Sequence, residues 1–169
     1  MKLILENWRQ YLTEDADREW EQLDGYYTLG RSSSEYHPSW DYDPNEEPSL
    51  LSMEAYEMAA PQAQALATQL GLGPIALYFI EGDEVDNHLA RYINGSYSSP
   101  IFVLADKVED RDEATLTLFH ELGHAYVDST GADLAPDAEE EAVEDFARRV
   151  YAQGAEEALV QLNKLIGSQ

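Results

Sequence analysis

The sequence predicts an α+β fold in which a small three-stranded sheet packs against three helices. Three short apolar runs rich in β-forming residues lie between two stretches with helical periodicity, and a third helical stretch follows. Strands that are grouped together, with helices before and after them, are typical of the α+β class. The chain has 169 residues, of which 44% are apolar, so its size and composition suit one core with an appended segment.

We divide the chain into an N-terminal segment, residues 1–48, and a domain formed by residues 49–169. Residues 1–23 carry apolar side chains at helical spacing, which predicts an amphipathic helix or a pair of helices. Residues 24–48 are rich in Gly, Ser, Pro, Asp and aromatic residues, which predicts a loop or a short irregular meander. Because a flexible linker rarely contains so many aromatic residues, part of this segment is expected to pack on the domain or over its cleft.

The predicted domain opens with a helix over residues 49–70, in which Ser52 is a candidate N-cap and Pro61 predicts a kink or a break. A Gly-Leu-Gly-Pro sequence ends this helix. Turn signals containing glycine then separate the three predicted strands, which cover residues 75–80, 89–93 and 100–104. We expect the helix to pack behind this sheet.

A second helix is predicted around the pentad His120-Glu121-Leu122-Gly123-His124, which has the pattern H-E-x-x-H. Acidic residues precede it where they complement the helix dipole, and apolar residues recur at steps of three and four. Positions i and i+4 lie on one helix face about one turn apart, so both imidazoles can bind one zinc ion. The pattern therefore predicts His120 and His124 as metal ligands and Glu121 as the general base of a hydrolytic reaction.

The third protein ligand of such a site has to be a histidine or a carboxylate, because the chain contains no cysteine. His37 and His88 lie upstream in loop-like sequence, and we expect both to be ordinary surface residues. A third helix, predicted to begin at Pro136, offers several acidic residues in its first turns. Helical phase favours Glu140, which shares a face with small and apolar residues, and leaves Glu141 as the alternative third ligand.

These features together resemble the gluzincin metallopeptidases, and in particular their small ImmA/IrrE-type members. In that family an H-E-L-G-H helix is followed by a helix that carries a ligand glutamate and then a Phe-Ala pair. The pentad matches the first helix, and Glu140 followed by Phe146-Ala147 matches the second. The resemblance covers roughly residues 61–153.

Two departures from the family pattern limit what carries over. Four residues after Glu140 the chain has Glu144, where the family has Asn or Asp. Glu141 is followed at that spacing by Asp145, so the third ligand stays open between the two glutamates. No helix-turn-helix domain accompanies the site, so the cleavage of a repressor is not expected to carry over.

The resemblance implies a minimal zincin-like fold, Zn²⁺ as cofactor and the activity of a metalloendopeptidase. Glu121 would take a proton from a zinc-activated water and pass it to the leaving amine of a peptide or protein substrate. An extended substrate would pair with an edge strand over residues 97–104. Candidates for stabilising the oxyanion are Tyr97, Tyr126 and Tyr151.

The charge of the chain limits the classes of partner that it can bind. Its 34 acidic and 10 basic residues give a net charge of -24, whereas phosphate contacts need clustered Lys and Arg, so direct nucleic acid binding is not expected. No apolar run is long enough to cross a membrane, and residues 1–23 lack the apolar core of a signal peptide. We therefore expect a cytoplasmic protein, and residues 6–12 resemble the start of some tailed-phage proteins.

Two alternatives to a peptidase are consistent with the same sequence. The first is an acidic protein-binding module that imitates DNA, in which the zinc site is structural or vestigial. The second is a zinc-free domain whose pentad arose by accident. Stoichiometric metal, together with an activity that depends on Glu121, distinguishes the peptidase from both.

Overall fold

A computed structural model describes residues 21–23, 26–29, 50–79, 89–104, 107–108 and 110–167. The helix or helix pair predicted over residues 1–23 lies outside these ranges, apart from its last three residues. His37 and His88 also lie outside them, as does most of the aromatic segment that was expected to pack on the domain. The domain boundary after residue 48 stays a prediction.

The described part of the chain contains four helices and five strands. The helices are α1 (Leu50–Gln69), α2 (Arg111–Thr130), α3 (Pro136–Gln153) and α4 (Ala155–Ile166). The strands are β1 (Glu21–Leu23), β2 (Tyr26–Leu29), β3 (Ala76–Phe79), β4 (Ala90–Tyr92) and β5 (Ile101–Leu104). The predicted α+β class with a small sheet is confirmed, while α4 was not predicted.

The sheet is mixed and has the strand order β1-β2-β3-β5-β4. β3 and β5 run parallel, and the other neighbouring strands run antiparallel. The three predicted strands are present. β1 forms where a helix end was predicted, so that prediction is wrong for these residues, and β2 forms where a loop or a short irregular meander was predicted. β2 pairs with β1 on one side and with β3 on the other, and such long-range pairing cannot be inferred from the spacing of apolar residues in a short segment.

The terminal strand of the sheet beside α2 is β4. The prediction that residues 97–104 form an edge strand is wrong, because β5 pairs with β3 on one side and with β4 on the other. The register pairs Ala90 with Leu104 and Tyr92 with Phe102. The order of strands in a sheet depends on long-range pairing. An apolar run such as that of β5 can form a central or a terminal strand, so its composition does not predict its place in the sheet.

α1 packs against α2 and is fixed by two polar contacts. The helix runs through Pro61 without the predicted break. Ser52 lies inside α1 rather than at its N-cap, and its buried hydroxyl donates to the backbone oxygen of Val108. The hydroxyl of the fully buried Tyr56 donates to the backbone oxygen of Leu89 at 2.9 Å. These two contacts tie α1 to the segments that lead into α2 and β4.

The core lies between the sheet and the helices α1, α2 and α3. Its fully buried large side chains include Phe102 of β5, Leu118 and Leu122 of α2, and Phe146 of α3. The turn before β3 approaches the turn after β4 so closely that a Cβ on Gly73 would lie 1.7 Å from the Ser98 oxygen. None of the helices in the described ranges is both long and apolar enough to cross a membrane.

Candidate metal site

The pentad lies in the middle of α2, whose two ends are firmly capped. The carboxylate of Asp110 accepts hydrogen bonds from the backbone amides of Asp112 and Glu113, at 2.8 and 2.9 Å. At the other end, Gly131 adopts the left-handed conformation with a φ of 69°. The helix predicted for the pentad is thus confirmed. Its regular geometry brings the two histidine rings onto one face.

His120, His124 and Glu140 form a cluster that could hold a metal ion. The two imidazole Nε2 atoms lie 3.2 Å apart. The carboxylate of Glu140 approaches from α3, with Oε1 3.2 Å from His120 Nε2 and Oε2 3.4 Å from His124 Nε2. Three groups from two helices therefore converge on one point beside a cleft.

The spacing of these atoms fits a tetrahedral zinc site. Zinc binds imidazole nitrogen and carboxylate oxygen at about 2.0 to 2.2 Å, so neighbouring ligand atoms of a tetrahedron lie about 3.3 to 3.5 Å apart. The distance of 3.2 Å between the two Nε2 atoms is close to this value, and each Nε2 atom lies within 3.4 Å of one of the two Glu140 oxygens. A tetrahedral metal ion held by these three groups would keep one position open.

The structure brings Glu140, and not Glu141, to the two histidines. Glu141 is exposed and does not belong to the cluster. Gly123, between the two histidines, allows this approach, because a Cβ there would lie 2.9 Å from the Cβ of Val143. Glu140 precedes the buried Val143 by three residues, so both lie on the same face of α3. The close contact of this face with α2 directs the Glu140 carboxylate to the two histidines.

Two further glutamates of α3 contact the outer nitrogens of the histidines. Nδ1 of His124 lies 2.7 Å from Oε1 of Glu139, and Nδ1 of His120 lies 3.8 Å from Oε2 of Glu144. A carboxylate at Nδ1 favours the tautomer that carries its proton there, which leaves Nε2 free to bind a metal. Glu144 also pairs with Arg148 at 2.5 Å, whereas Glu139 contacts His124 most closely.

Glu121 points into the fold beside the cluster, and its side chain is almost fully enclosed. The residue is only 7% exposed, and its Oε2 accepts a hydrogen bond from the backbone amide of Tyr92 at 2.6 Å. Burial raises the pKa of Glu121 to about 7, and Glu140 adds to the rise, while His124 and the Tyr92 amide act in the opposite direction. A carboxyl group with a pKa near neutrality can both accept and release a proton.

Two clefts meet at the cluster. The strand-side cleft, about 300 Å³, lies between α2 and β4 and is lined by Ala90, Arg91, Tyr92 and Asn94 in addition to the cluster. The helix-side cleft, about 840 Å³, extends between α2 and α3 past Leu116 and Glu144 as far as Tyr151. Both clefts include His120, Glu121 and Glu140, so the cluster lies where the two clefts adjoin.

The three tyrosines predicted as oxyanion-stabilising candidates occupy different places. The hydroxyl of Tyr126 donates to Asn163 of α4 at 3.0 Å, and neither cleft includes this residue. Tyr97 is exposed in the turn after β4 and also lies outside both clefts. Tyr151 alone of the three lines a cleft, at the end of the helix-side cleft, where it contacts Asp112.

Sequence reasoning missed two groups at the site. It gave Glu139 no role, although this residue directly precedes Glu140 on α3 and its carboxylate contacts the ring of His124. It also missed the hydrogen bond that the backbone amide of Tyr92, in the predicted strand β4, donates to Glu121. A backbone amide leaves no signal in residue identity, so this contact had to come from the tertiary structure.

Comparisons with models of protein families, with curated proteins and with solved structures found no match to this chain. The geometry of the cluster and of its clefts is therefore the basis for assigning a function.

Proposed function

We propose that the chain is a zinc-dependent metalloendopeptidase of the gluzincin type. The observation that carries the proposal is the convergence of His120, His124 and Glu140 at ligand spacing, with the buried carboxylate of Glu121 lining the same cleft. A purely structural metal site needs no such carboxylate and usually has four protein ligands. Two histidines, one glutamate and an adjacent enclosed glutamate are one set of groups that supports metal-assisted hydrolysis.

Zinc fits this donor set better than the other common protein metals. Calcium and magnesium prefer all-oxygen sites with six or more ligands, and thiolate-bound metals are excluded because the chain has no cysteine. When bound, a zinc ion would supply a Lewis acid that activates water and polarises the scissile carbonyl. His120, His124 and Glu140 would hold it, and Glu139 would orient the ring of His124.

Glu121 would move the proton in this reaction. Its carboxylate would take a proton from the attacking water and deliver it to the nitrogen of the leaving amine. The Tyr92 amide, at 2.6 Å from Oε2, would hold one carboxylate oxygen in place and leave the other for the water. Burial raises the pKa of Glu121 toward neutrality, which supports a role in both proton transfers.

The outer edge of β4 is where an extended substrate would bind. The Ile93 amide donates to the Ile101 oxygen, so Ile93 faces β5 with its backbone groups. In an antiparallel pair the backbone groups of successive residues point alternately toward the neighbouring strand and away from it. The backbone groups of Ala90 and Tyr92 therefore point away from β5. The Tyr92 amide is used by Glu121, so the Ala90 amide and the two carbonyl groups would pair with a peptide. The substrate is therefore proposed to pair with this edge of β4 and not with residues 97–104.

The decisive experiment combines metal analysis with peptide cleavage. The full-length protein and its Glu121→Gln variant are analysed for zinc and incubated with a mixture of unstructured peptides, and the products are identified by mass spectrometry. We expect about one zinc per chain in both proteins and a loss of cleavage of about 10²- to 10⁴-fold in the variant. Glu141→Gln, which makes the same change on an exposed neighbour, is the matched control and should cleave normally.

The net charge of -24 favours one alternative, an acidic module that imitates DNA and occupies a basic protein. Binding to a basic partner that needs no zinc and is unchanged by Glu121→Gln, with no cleavage of any peptide, would support that module. A freshly purified protein without stoichiometric metal would instead indicate that the pentad arose by accident.

A further inference from the structure

We propose that Asp128 is a positioning residue, which fixes β4 against α2 and so holds both the Glu121 carboxylate and the proposed substrate-binding edge. This proposal rests on the proposed function, which it deepens by naming a residue outside the metal cluster. Asp128 lies on α2 one turn after His124 and two turns after Glu121. It belongs to the same side of the helix as the reacting groups.

One oxygen of Asp128 receives two hydrogen bonds from the β4 region. Oδ2 accepts from the hydroxyl of Tyr92 at 2.8 Å and from the backbone amide of Gly95 at 2.7 Å. Gly95 has a φ of 80°, which belongs to the left-handed region that the turn after β4 uses. The carboxylate therefore holds the strand and the turn that follows it at the same point.

Tyr92 is thereby attached to α2 at both of its ends. Its backbone amide donates to Glu121 Oε2 at 2.6 Å, and its hydroxyl donates to Asp128 seven residues further along the helix. Burial, together with the hydrogen bond to Asp128, raises the pKa of Tyr92, so the hydroxyl keeps the proton that it donates. The ring of Tyr92 acts as a rigid spacer between the two carboxylates, since both ends are hydrogen-bonded.

β4 needs this support because few hydrogen bonds within the sheet hold the strand in place. It has only three residues, and among the described strands β5 is its one neighbour. A short terminal strand with one neighbour frays easily, and a shift of about 1 Å in a group that positions a reaction can cost about 100-fold in rate. Attachment to Asp128 takes the place that a second neighbouring strand would have, on the side of β4 where the peptide is proposed to pair.

Three variants separate hydrogen bonding from charge and from folding. Asp128→Ala removes both contacts. Asp128→Asn removes the charge but keeps an oxygen that can accept both donors, because the two bonds converge on a single oxygen. Tyr92→Phe removes only the hydroxyl contact. Asp133→Ala removes a carboxylate at an exposed position just beyond α2, and is the matched control.

The experiment measures kcat and KM of the zinc-loaded full-length proteins, their zinc Kd, and the hydrogen exchange of single backbone amides by NMR. We expect Asp128→Ala to lower kcat/KM at least about tenfold. Asp128→Asn and Asp133→Ala should retain most of it, and Tyr92→Phe should fall between. The zinc Kd should stay nearly constant. Exchange of the Tyr92 amide should accelerate in Asp128→Ala far more than exchange of the Ile93 amide, which bonds within the sheet.

Several results would overturn the role of Asp128. Equal losses in Asp128→Asn and Asp128→Ala would assign the effect to charge, and a weakened zinc Kd would assign it to the metal cluster. Equal acceleration of the Tyr92 and Ile93 amides would show only a general loss of stability. If the wild-type protein cleaves no peptide, the peptidase proposal fails, and the exchange of the Tyr92 amide still decides whether Asp128 holds β4.

Discussion

At the scale of single residues, the site depends on close contacts that allow little adjustment. Gly123 occupies the point where α2 meets α3, and Glu139 holds the outer nitrogen of His124. Neither residue binds the metal in the proposed site. Both determine whether the three ligand atoms meet at the required distances, so their substitution should affect zinc binding through geometry.

Replacing Gly123 with Ala should lower both stability and zinc affinity. The added Cβ would lie 2.9 Å from the Val143 Cβ and 3.2 Å from Phe146 Cδ1, so α3 has to move away from α2. We expect a loss of about 1 to 3 kcal/mol in the free energy of unfolding, reduced by the better helix propensity of Ala. Urea unfolding and zinc titration would measure the two effects. Unchanged zinc affinity would show that the spacing of the helices is not critical.

Replacing Glu139 with Ala should weaken zinc binding about 10- to 100-fold, because the His124 ring loses the carboxylate that orients it at 2.7 Å. A competitive titration with a chelator would measure the Kd. Glu141→Ala removes the same charge from an exposed position of the same helix and should leave the Kd nearly unchanged. Equal weakening in both variants would indicate a general effect of charge instead.

At the scale of elements, α1 and the segment before α2 are joined by a buried polar contact. Ser52 donates to the oxygen of Val108, and both residues are shielded from solvent. The expected N-cap role of Ser52 came from its residue type, since Ser is favoured at helix starts. Its position inside α1 shows that the tertiary contact, which a linear sequence does not reveal, decides how this hydroxyl is used.

Replacing Ser52 with Ala should lower the free energy of unfolding by about 1 to 3 kcal/mol, because it leaves a buried backbone oxygen without its donor. Thr68→Val is the control, because Thr68 is an exposed residue of the same helix and its hydroxyl donates to the backbone oxygen of Gln64 within that helix. Denaturant unfolding followed by circular dichroism would compare them. A loss for Ser52→Ala no larger than that of the control would contradict the importance of the buried contact.

At the scale of the whole molecule, the proposed zinc ion would connect helices that are otherwise held together by apolar packing. Two ligands lie on α2 and one on α3, so a metal bound to all three favours the folded arrangement of both helices. The unfolded chain offers no preformed site, and the binding free energy therefore adds to stability.

Zinc at about 100 times its Kd should raise the free energy of unfolding by about 2.7 kcal/mol. Unfolding of the chelator-treated protein, with and without added zinc, would measure the difference. His124→Ala should abolish the increase, since it removes one of the two imidazoles from the cluster. An undiminished increase in that variant would mean that zinc binds elsewhere on the acidic surface.

Much of the fold class and of the local chemistry could be predicted, because both depend on short-range patterns. The i, i+4 spacing of His120 and His124 fixes their relation within one helix. The choice of Glu140 was favoured by its sharing a face with Val143, yet Glu141 stayed open until the contact of α2 with α3 was known. The hairpin β1-β2 was missed, although an Asp-Gly turn signal lies between its strands.

The sequence by itself determined which groups could do chemistry: two imidazoles on one helix face, a glutamate between them, and no thiolate. These follow from residue identity and from the regular geometry of a single helix. Only the tertiary structure decided which carboxylate joins the histidines, which strand forms the edge, and what Asp128 holds. These contacts join residues of different helices and strands. The packing of those elements determines the contacts, and the spacing of residues along the chain does not.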